Sequence, residues 1–528
     1  MQQNPLQSGT ADIRLVELMA ALSLATDLGM GQPMEYALCV CVLSVRLGEV
    51  LGLSDDDLRD VYYLALLRHI GCNADTYRMA DIYGDELALR ADIAVVDSAN
   101  TSQLVDLVIR YIRQANEGSS PYQLARAIEQ GLSATPQLMK EGFTAFCEVA
   151  QRLAERLGFG EPIRIALGQV FERWDGQGIP GKVKGEDISL SMRIVALAQD
   201  AITFHRLESV EAAVKMAWER KGTLYDPRIV DCFCQRASHL LVGLDEEPPW
   251  EMVVALEPGV RARLSVEQFD NACRAIADFA DIKSPYTFGH SVGVAELAAQ
   301  AAHGFGLPDA DAVTIRWAGL LHDIGRVGIS AGIWGKPGPL STREWERVRM
   351  HPYYTERVLA RPGVLARLGA LASLHHERLD GSGYYRGFSA NMLSPAARIL
   401  AVADVYHAMT ELRPHRPALT PEQAADQLRC EARAGRLDGE AVSHVLVAAG
   451  HKVRTSRREL VAGLSQREIE VLRLLARGHS KKQIAELLFI SEKTVSHHTQ
   501  HIYTKIGVST RAGAAIFAME HDLLAVDG

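Results

Sequence analysis

Leu320-Leu321-His322-Asp323-Ile324-Gly325 repeats, with two substitutions, an earlier run of the same chain, Leu66-Leu67-Arg68-His69-Ile70-Gly71. A second pair follows in the same order. Glu377-Arg378-Leu379-Asp380-Gly381-Ser382-Gly383 parallels Glu172-Arg173-Trp174-Asp175-Gly176-Gln177-Gly178, and both lead into an Arg-Ile step that opens an apolar helix. The spacing matches too: 22 positions separate Phe171 from Arg193, as they separate His376 from Arg398. Paired runs in one order at one spacing predict two copies of a single domain, residues 15–245 and 265–450.

Around these runs the apolar residues recur every three or four positions, as in Leu15, Leu18, Met19 and Leu22, or Val294, Leu297, Ala298 and Ala301. That is the amphipathic-helix period, and strand-like alternation is scarce, so the expected fold class is all-α. The first copy carries an extra stretch, near Ala80 to Gly160, that also reads as helical. Breaks in periodicity are expected at Asp245 to Trp250 and at Lys452 to Arg458.

In the second copy His290, His322, Asp323, His351, His375, His376 and Asp404 recur beside small or apolar residues. One such histidine alone would be read as a hydrogen-bonded core residue. A whole set, buried without a cation, would leave polar groups unsatisfied at about 1 to 3 kcal/mol each. The mixture of imidazole and carboxylate therefore predicts divalent transition metals, iron or manganese ahead of magnesium. Two close ions activate water near neutral pH and clamp a phosphodiester. The first copy places Tyr36, Arg68 and His69 where the second has His290, His322 and Asp323, and its remaining equivalents are Val170, Phe171 and Gln199. That set cannot hold a metal pair, so the first copy is expected to be degenerate.

Several segments of the second copy resemble the HD-GYP family of phosphohydrolases. They are Ser284 to Ser291, Leu321 to Ile329, Lys336-Pro337-Gly338, His375 to Tyr384, and Arg398 to Asp404. The resemblance implies an all-helical domain with a two- or three-metal site that hydrolyses cyclic di-GMP. It implies Asp323 as the bridging ligand and, with Arg326, a catalytic residue. His290, His322 and Asp404 would surround one ion, and His351 with His375 or His376 the other. Arg326, Lys336, Gly383, Tyr384 and Arg386 would contact substrate. The chain departs from the family pattern at three places: Tyr385 replaces the proline of the Gly-Tyr-Pro triplet, Arg326 replaces a lysine, and Tyr286 replaces a carboxylate found in three-metal members. Two metals are therefore expected. Tyr385 leaves other nucleotides or phosphoesters open as substrates, and a non-enzymatic metal- or nucleotide-sensing transcription factor is the alternative of another class.

The C-terminal stretch has its own pattern. Ser465 opens one apolar-periodic helix that Gly478 ends, a second runs near Lys481 to Leu488, and Ser491 caps a third through Ile506. Two helices joined this tightly have helix-turn-helix spacing. From Leu464 to about Leu524 the segment resembles the LuxR-type DNA-binding domain, which implies a four-helix unit over residues 460–528. By position Ser496, His497 and Gln500 would face bases, while Lys481, Lys482, Lys493, Thr494 and Lys505 would approach phosphates. Half-site recognition by this motif implies a homodimer.

Charge agrees with that division. The whole chain of 528 residues carries a net −9, yet from Lys452 onward twelve Lys or Arg stand against eight Asp or Glu. A basic module on an acidic protein fits DNA as a partner of the tail alone. The longest apolar stretch, Tyr36 to Val45, is too short to span a bilayer, so no membrane partner is expected. The eight cysteines, with pairs such as Cys39/Cys41 and Cys232/Cys234, have neither zinc spacing nor disulfide density. A cytoplasmic location is the expectation.

Overall fold

The computed structural model describes residues 10–96, 100–244, 249–261, 263–361, 363–452, 462, 464–521 and 523, and the chain divides into two compact units, residues 1–451 and 452–528. In the first unit the three-and-four apolar spacing folds into helices. The chain enters through strand β1 (Thr10–Arg14) and helices α1 (Leu15–Gly29), α2 (Tyr36–Val50) and α3 (Asp55–Leu67). The extra stretch of the first copy supplies α4 (Thr76–Tyr83), α5 (Glu86–Ile93), α6 (Thr101–Ala115) and the 36-residue α7 (Pro121–Arg156). Helix α8 (Leu190–Leu207) continues the repeated core of that copy, and Phe233 and Leu240 further on are buried in it.

Most of the break expected at Asp245 to Trp250 lies outside the described residues, but its end is a helix, α9 (Pro249–Leu256). Trp250 and Val253 of α9 are buried in the core, so this connection is a packed element rather than an open linker. The second copy follows as strand β2 (Arg263–Ser265) and helices α10 (Val266–Asp281), α11 (His290–Phe305) and α12 (Asp309–Leu321). Then come α13 (His351–Leu359), α14 (Val364–Ala372), α15 (Pro395–Thr410) and α16 (Gly439–Ala448).

The repeat seen in sequence is a repeat in space. Helices α2 and α3 pack together as α11 and α12 do, and α8 stands to the first pair as α15 stands to the second. Even the turn before the first helix is shared: Glu35 has φ 75° and Gly289 φ 76°. Glycine adopts that left-handed conformation freely, whereas Glu35 holds it at a cost of roughly 1 to 2 kcal/mol. One apolar core runs through both copies, from Leu18, Met19 and Leu22 of α1 to Phe279 of α10 and Leu321 of α12. Strands β1 and β2 pair antiparallel, Thr10 with Ser265 and Arg14 with Arg263, and tie the starts of the copies together. Sequence alternation had given no sign of this ribbon, because each strand is too short to show a period.

The second unit has its own small core, built from Leu464, Val471, Leu472, Ile484, Val495, Ile502 and Ala514. Its helices are α17 (Gln466–Ala476), α18 (Lys481–Leu487), α19 (Glu492–Ile506) and α20 (Arg511–Glu520). The serines read as caps act as caps, Ser465 in a capping box with Glu468 and Ser491 accepting from the Thr494 amide, and Ser480, which the sequence reading did not single out, forms a second capping box with Gln483. Residues 453–458 of the second expected break, and Leu524 at the expected end of the domain, lie outside the described residues. Among the described residues no helix is long and apolar enough to cross a membrane.

Candidate metal centre and DNA-binding unit

Four helix ends and one mid-helix position converge in the second copy. His290 is the first residue of α11, His322 and Asp323 lie where α12 gives way to the 3₁₀ turn Ile324–Gly328, and His351 is the first residue of α13. His375 and His376 follow α14, and Asp404 faces them from within α15. His322 and His375 are 0% exposed, His290 and His351 1%, Asp323 2% and Asp404 4%, so water does not solvate these groups.

Gly325 allows this meeting. A Cβ there would stand 2.1 Å from the His351 carbonyl oxygen and 2.5 Å from the Thr355 nitrogen, so only glycine lets the turn after Asp323 lie against the start of α13.

The ring orientations are set from behind. His322 Nδ1 donates to the Gly319 carbonyl (2.7 Å), His351 Nδ1 to Val348 (2.6 Å) and His375 Nδ1 to Ala372 (2.7 Å). With the proton fixed on Nδ1, each Nε2 presents a lone pair to the centre. The consequence is an arrangement unstable without a cation. His351 Nε2 and His375 Nε2 face each other at 3.1 Å, and the buried His322 Nε2 has no hydrogen-bond partner within the protein. Two acceptors in contact, beside an orphaned third, fit a metal ion.

The carboxylates divide this centre in two. Asp323 Oδ1 lies 3.6 Å from both His351 Nε2 and His375 Nε2, while its Oδ2 lies 3.6 Å from His322 Nε2 and 3.9 Å from His290 Nε2. Asp404 Oδ1 is 3.2 Å from His290 and 3.8 Å from His322, and its Oδ2 is 3.7 Å from His376 Nδ1. His290, His322 and Asp404 thus form one set able to hold a metal ion and His351, His375 and His376 another, with one oxygen of Asp323 turned to each.

Protonation follows the same geometry. Burial, with neighbouring cationic groups, pushes His351 down to about 4 and His375 down to about 3, so both imidazoles are neutral at pH 7 and able to ligate. Burial alone would raise Asp323, but His322, Arg326, His351 and His375 hold it well below the usual range, and Asp404 is held down likewise by His290 and His376. His290 is the exception. Burial lowers it, yet hydrogen bonds to Asp404 and Glu411 win and raise it to about 10.

Glu411 is a residue the sequence reading missed. It accepts from His290 Nδ1 (2.9 Å), pairs with His407 (3.2 Å), and is in turn held by Arg413 (2.7 Å). Such a carboxylate behind a metal-facing imidazole orients it and raises its basicity. Its position seven residues after Asp404, two helical turns along one face, was the available signal.

The expected substrate contacts separate. Arg326 joins the centre: its guanidinium donates to Asp323 Oδ2 (3.1 Å) and lies 3.9 Å above the Trp334 ring. Tyr384 stacks on His376 with ring centres 4.6 Å apart. Lys336 is ion-paired with Glu344 (2.6 Å) and Arg386 with Glu356 (2.5 Å), so neither cation is held ready beside the ligand set. Gly383 is needed for backbone packing, since a Cβ would stand 2.5 Å from the Arg378 nitrogen. Below it the buried Glu377 accepts from the Arg386 and Phe388 amides and shapes the loop, as Glu172 does for Gly181 and Lys182 in the first copy.

The first-copy equivalents form a filled core instead. Tyr36 donates to the Gln199 carbonyl (2.9 Å) and meets Thr203 (2.7 Å), His69 Nε2 meets Gln199 Oε1 (2.7 Å), and Phe171 stacks on Phe143 at 4.1 Å. Burial drives His69 down to about 3, and Arg68 occupies the place of His322. No group of three metal ligands forms in this copy among the described residues.

In the second unit Val495, Thr499 and Ile502 turn inward from α19. Lys493, Thr494, His497 and Gln500 are exposed on it, as are Lys481 and Lys482 on α18. Two residues of the expected set stand in a different setting. Ser496 is half-buried beside the inward stripe, and Lys505 is ion-paired with the buried Glu468 (2.7 Å). His501, not foreseen, is exposed with its ring 4.2 Å from that of His497.

Comparison with known proteins agrees with both units. Residues 126–229 and 274–441 match the family described as HD domain, and residues 462–518 match bacterial regulatory proteins of the luxR family. The chain is 33% identical over 422 residues to the 3'3'-cGAMP-specific phosphodiesterase 3 of Vibrio cholerae, covering 78% of this chain and 89% of that protein. It is 39% identical over 140 residues to a cyclic di-GMP phosphodiesterase of Pseudomonas aeruginosa, covering 26% of this chain and 34% of the relative. A crystal structure of a cyclic GMP-AMP specific phosphodiesterase of V. cholerae aligns with 83% of this chain and 98% of its own, at TM-score 0.57 and 29% identity.

Proposed function

We propose, on the footing that the chain belongs to the HD domain family, of the HD-GYP type, and ends in a LuxR-type DNA-binding domain, that it is a regulator whose second copy cleaves a cyclic purine dinucleotide. Cyclic di-GMP and 3'3'-cGAMP are the substrates this reading favours, since relatives that bear those names resemble this chain. The observation that carries it is the divided carboxylate of Asp323, one oxygen 3.6 Å from His351 and His375, the other 3.6 Å from His322. Two divalent transition metals, iron or manganese, are the cofactors this ligand set suits. When bound, such a pair supplies Lewis acidity, which lowers the pKa of water and withdraws charge from a phosphodiester.

The chain's own residues do the rest. Asp323 and Asp404 stay ionised, while the Nδ1 hydrogen bonds keep three imidazoles aimed inward. Arg326, fixed against Asp323 and Trp334, offers a planar fork to a phosphate oxygen but no proton at working pH. Arg413 stands behind it as a second cation, its pKa lowered by burial and by Arg326. Tyr384, lying against His376, offers a ring face to a base. The test is product analysis with protein purified without oxygen and loaded with iron or manganese. Linear dinucleotide from cyclic di-GMP or 3'3'-cGAMP is expected. Intact substrate in the presence of two bound metals would favour a nucleotide-sensing role.

DNA binding by the second unit, as a homodimer in the cytoplasm, completes this reading. Replacing Lys481 and Lys482 by alanine removes two exposed cations from α18. The slope of log affinity against log salt is expected to shrink by about 1.8, near 0.9 per phosphate contact, with little change in sequence preference. Titrations at several salt concentrations measure it, and an unchanged slope would take these lysines off the phosphates.

A further inference from the structure

Among the described residues the first copy assembles no set of metal ligands, yet one buried side chain ties it to the copy that does. Glu86, first residue of α5 in the first copy, is fully buried, yet its carboxylate is held by Lys283, Ser330 and Ala331 of the second copy. Oε1 accepts from Lys283 Nζ (3.1 Å) and from the Ala331 amide (2.9 Å), and Oε2 accepts from Ser330 Oγ (2.6 Å). Lys283 is 2% exposed and donates also to the Val327 carbonyl (2.9 Å), inside the 3₁₀ turn that carries Arg326.

Those partners are the two chain segments that deliver the site. Lys283 lies on the stretch from α10 to His290, while Val327, Ser330 and Ala331 continue the chain from Asp323 and Arg326. One carboxylate therefore clamps both against a third element. Neighbouring contacts run the same way. Asn73 Nδ2 donates to the Phe279 carbonyl (2.8 Å), Thr76 Oγ1 to the Lys283 carbonyl (3.3 Å), and Arg347 pairs with Asp85 (3.0 Å). Helix α1 backs the turn itself, Leu28 Cβ standing 3.4 Å from where a Cβ on Gly328 would be.

A fully buried ion pair is a poor way to gain stability, because desolvating both charges cancels most of their attraction and apolar packing would serve as well. What it does supply is a fixed geometry, since each hydrogen bond has one satisfactory arrangement. We infer that the first copy is a positioning domain for the phosphodiesterase site, and that Glu86, through Lys283 and the Ser330–Ala331 backbone, is the positioning residue that holds the Arg326 turn against the metal ligands. The inference rests on the phosphodiesterase reading above.

The test compares full-length wild type with Glu86→Gln, which keeps the shape and removes the charge. Three quantities are read: thermal unfolding, metal content per chain, and kcat and KM on both a cyclic dinucleotide and the generic diester bis(p-nitrophenyl) phosphate. Expected is a folded protein with the wild-type metal content whose kcat falls about 10- to 100-fold, as for a small misplacement of a catalytic group. In an Arg326→Ala background the same change should cost little more, because the group it positions is gone. Should Glu86→Gln not fold, Glu86→Asp keeps the charge, shortens the reach, and is read identically. The inference is overturned by an unchanged kcat, by a fall no larger than the metal or folded protein lost, or by an undiminished effect in the Arg326→Ala background. A wild type active only on the generic diester sinks the cyclic-dinucleotide assignment and leaves the comparison standing. A wild type inert on both sinks the phosphodiesterase reading, and the positioning role with it, before any variant is made.

Discussion

Asp323→Asn is expected to lower diester turnover by about three to four orders of magnitude, equivalent to roughly 4 to 5 kcal/mol of lost transition-state stabilisation. The side chain keeps its volume, so the packing of the 3₁₀ turn survives. What goes is one anionic oxygen of the group that stands at 3.6 Å from His322 on one side and from His351 and His375 on the other. An amide oxygen ligates weakly and an amide nitrogen not at all, so the substituted side chain would no longer serve both ligand sets. Arg326, which donates to Asp323 Oδ2 at 3.1 Å, loses its anchor in the same step. Steady-state kinetics on metal-loaded protein measure the loss. Turnover within tenfold of wild type would mean that Asp323 is not shared between two ions.

Metal removal should have a comparable effect and leave a second signature in protons. After stripping by a chelator, activity should vanish and return with iron or manganese. The ligands differ in what they give up on reloading. His351 and His375, at about 4 and 3, are already neutral at pH 7 and release nothing. His290, at about 10, is a cation held between Asp404 and Glu411 and must lose its proton to ligate. The sign follows: a raised pKa means that the proton competes with the metal at every pH below it. Affinity should therefore fall about tenfold per pH unit from 8 to 6 for this one proton. Calorimetric titrations at pH 7 in buffers of different ionisation enthalpy should show about one proton released per chain. Binding without proton release would contradict the His290 arrangement.

How much of this was legible beforehand depended on distance along the chain. The seven side chains sit at helix ends or on inward helix faces, and periodicity reports both, so the structure brings together the set that the sequence singled out. The degenerate copy was readable for the same reason: Tyr36, Arg68 and Gln199 occupy repeat positions that spacing alone fixes. Contacts between distant segments left no local trace. Glu86 and Lys283 are 197 positions apart, and nothing in either neighbourhood says that an acid and a lysine will be buried together. The β1–β2 ribbon and the packed helix α9 are products of the core that the two copies share. Lys505 shows the converse case: a cation in a basic stretch was assigned to phosphate, and the buried carboxylate of Glu468, 37 positions away, stands 2.7 Å from it.

Glu411 and Arg413 mark an intermediate case. Seven positions put Glu411 on the helical face of Asp404 and nine put Arg413 on the opposite one, but their role depends on where α15 ends, at Thr410. Past that point the chain turns back, and Glu411 meets His290 from behind rather than joining the inner ligands. Helix ends are the part of a sequence that periodicity fixes least well.

The measurement closest to the central claim is metal content together with magnetic coupling in protein prepared without oxygen and loaded with manganese. Two ions per chain, with an electron paramagnetic resonance spectrum of an exchange-coupled pair that becomes that of isolated ions in Asp323→Asn, is the predicted result. One ion or fewer per chain, or two that show no coupling in the wild type, would contradict a centre built around a shared Asp323.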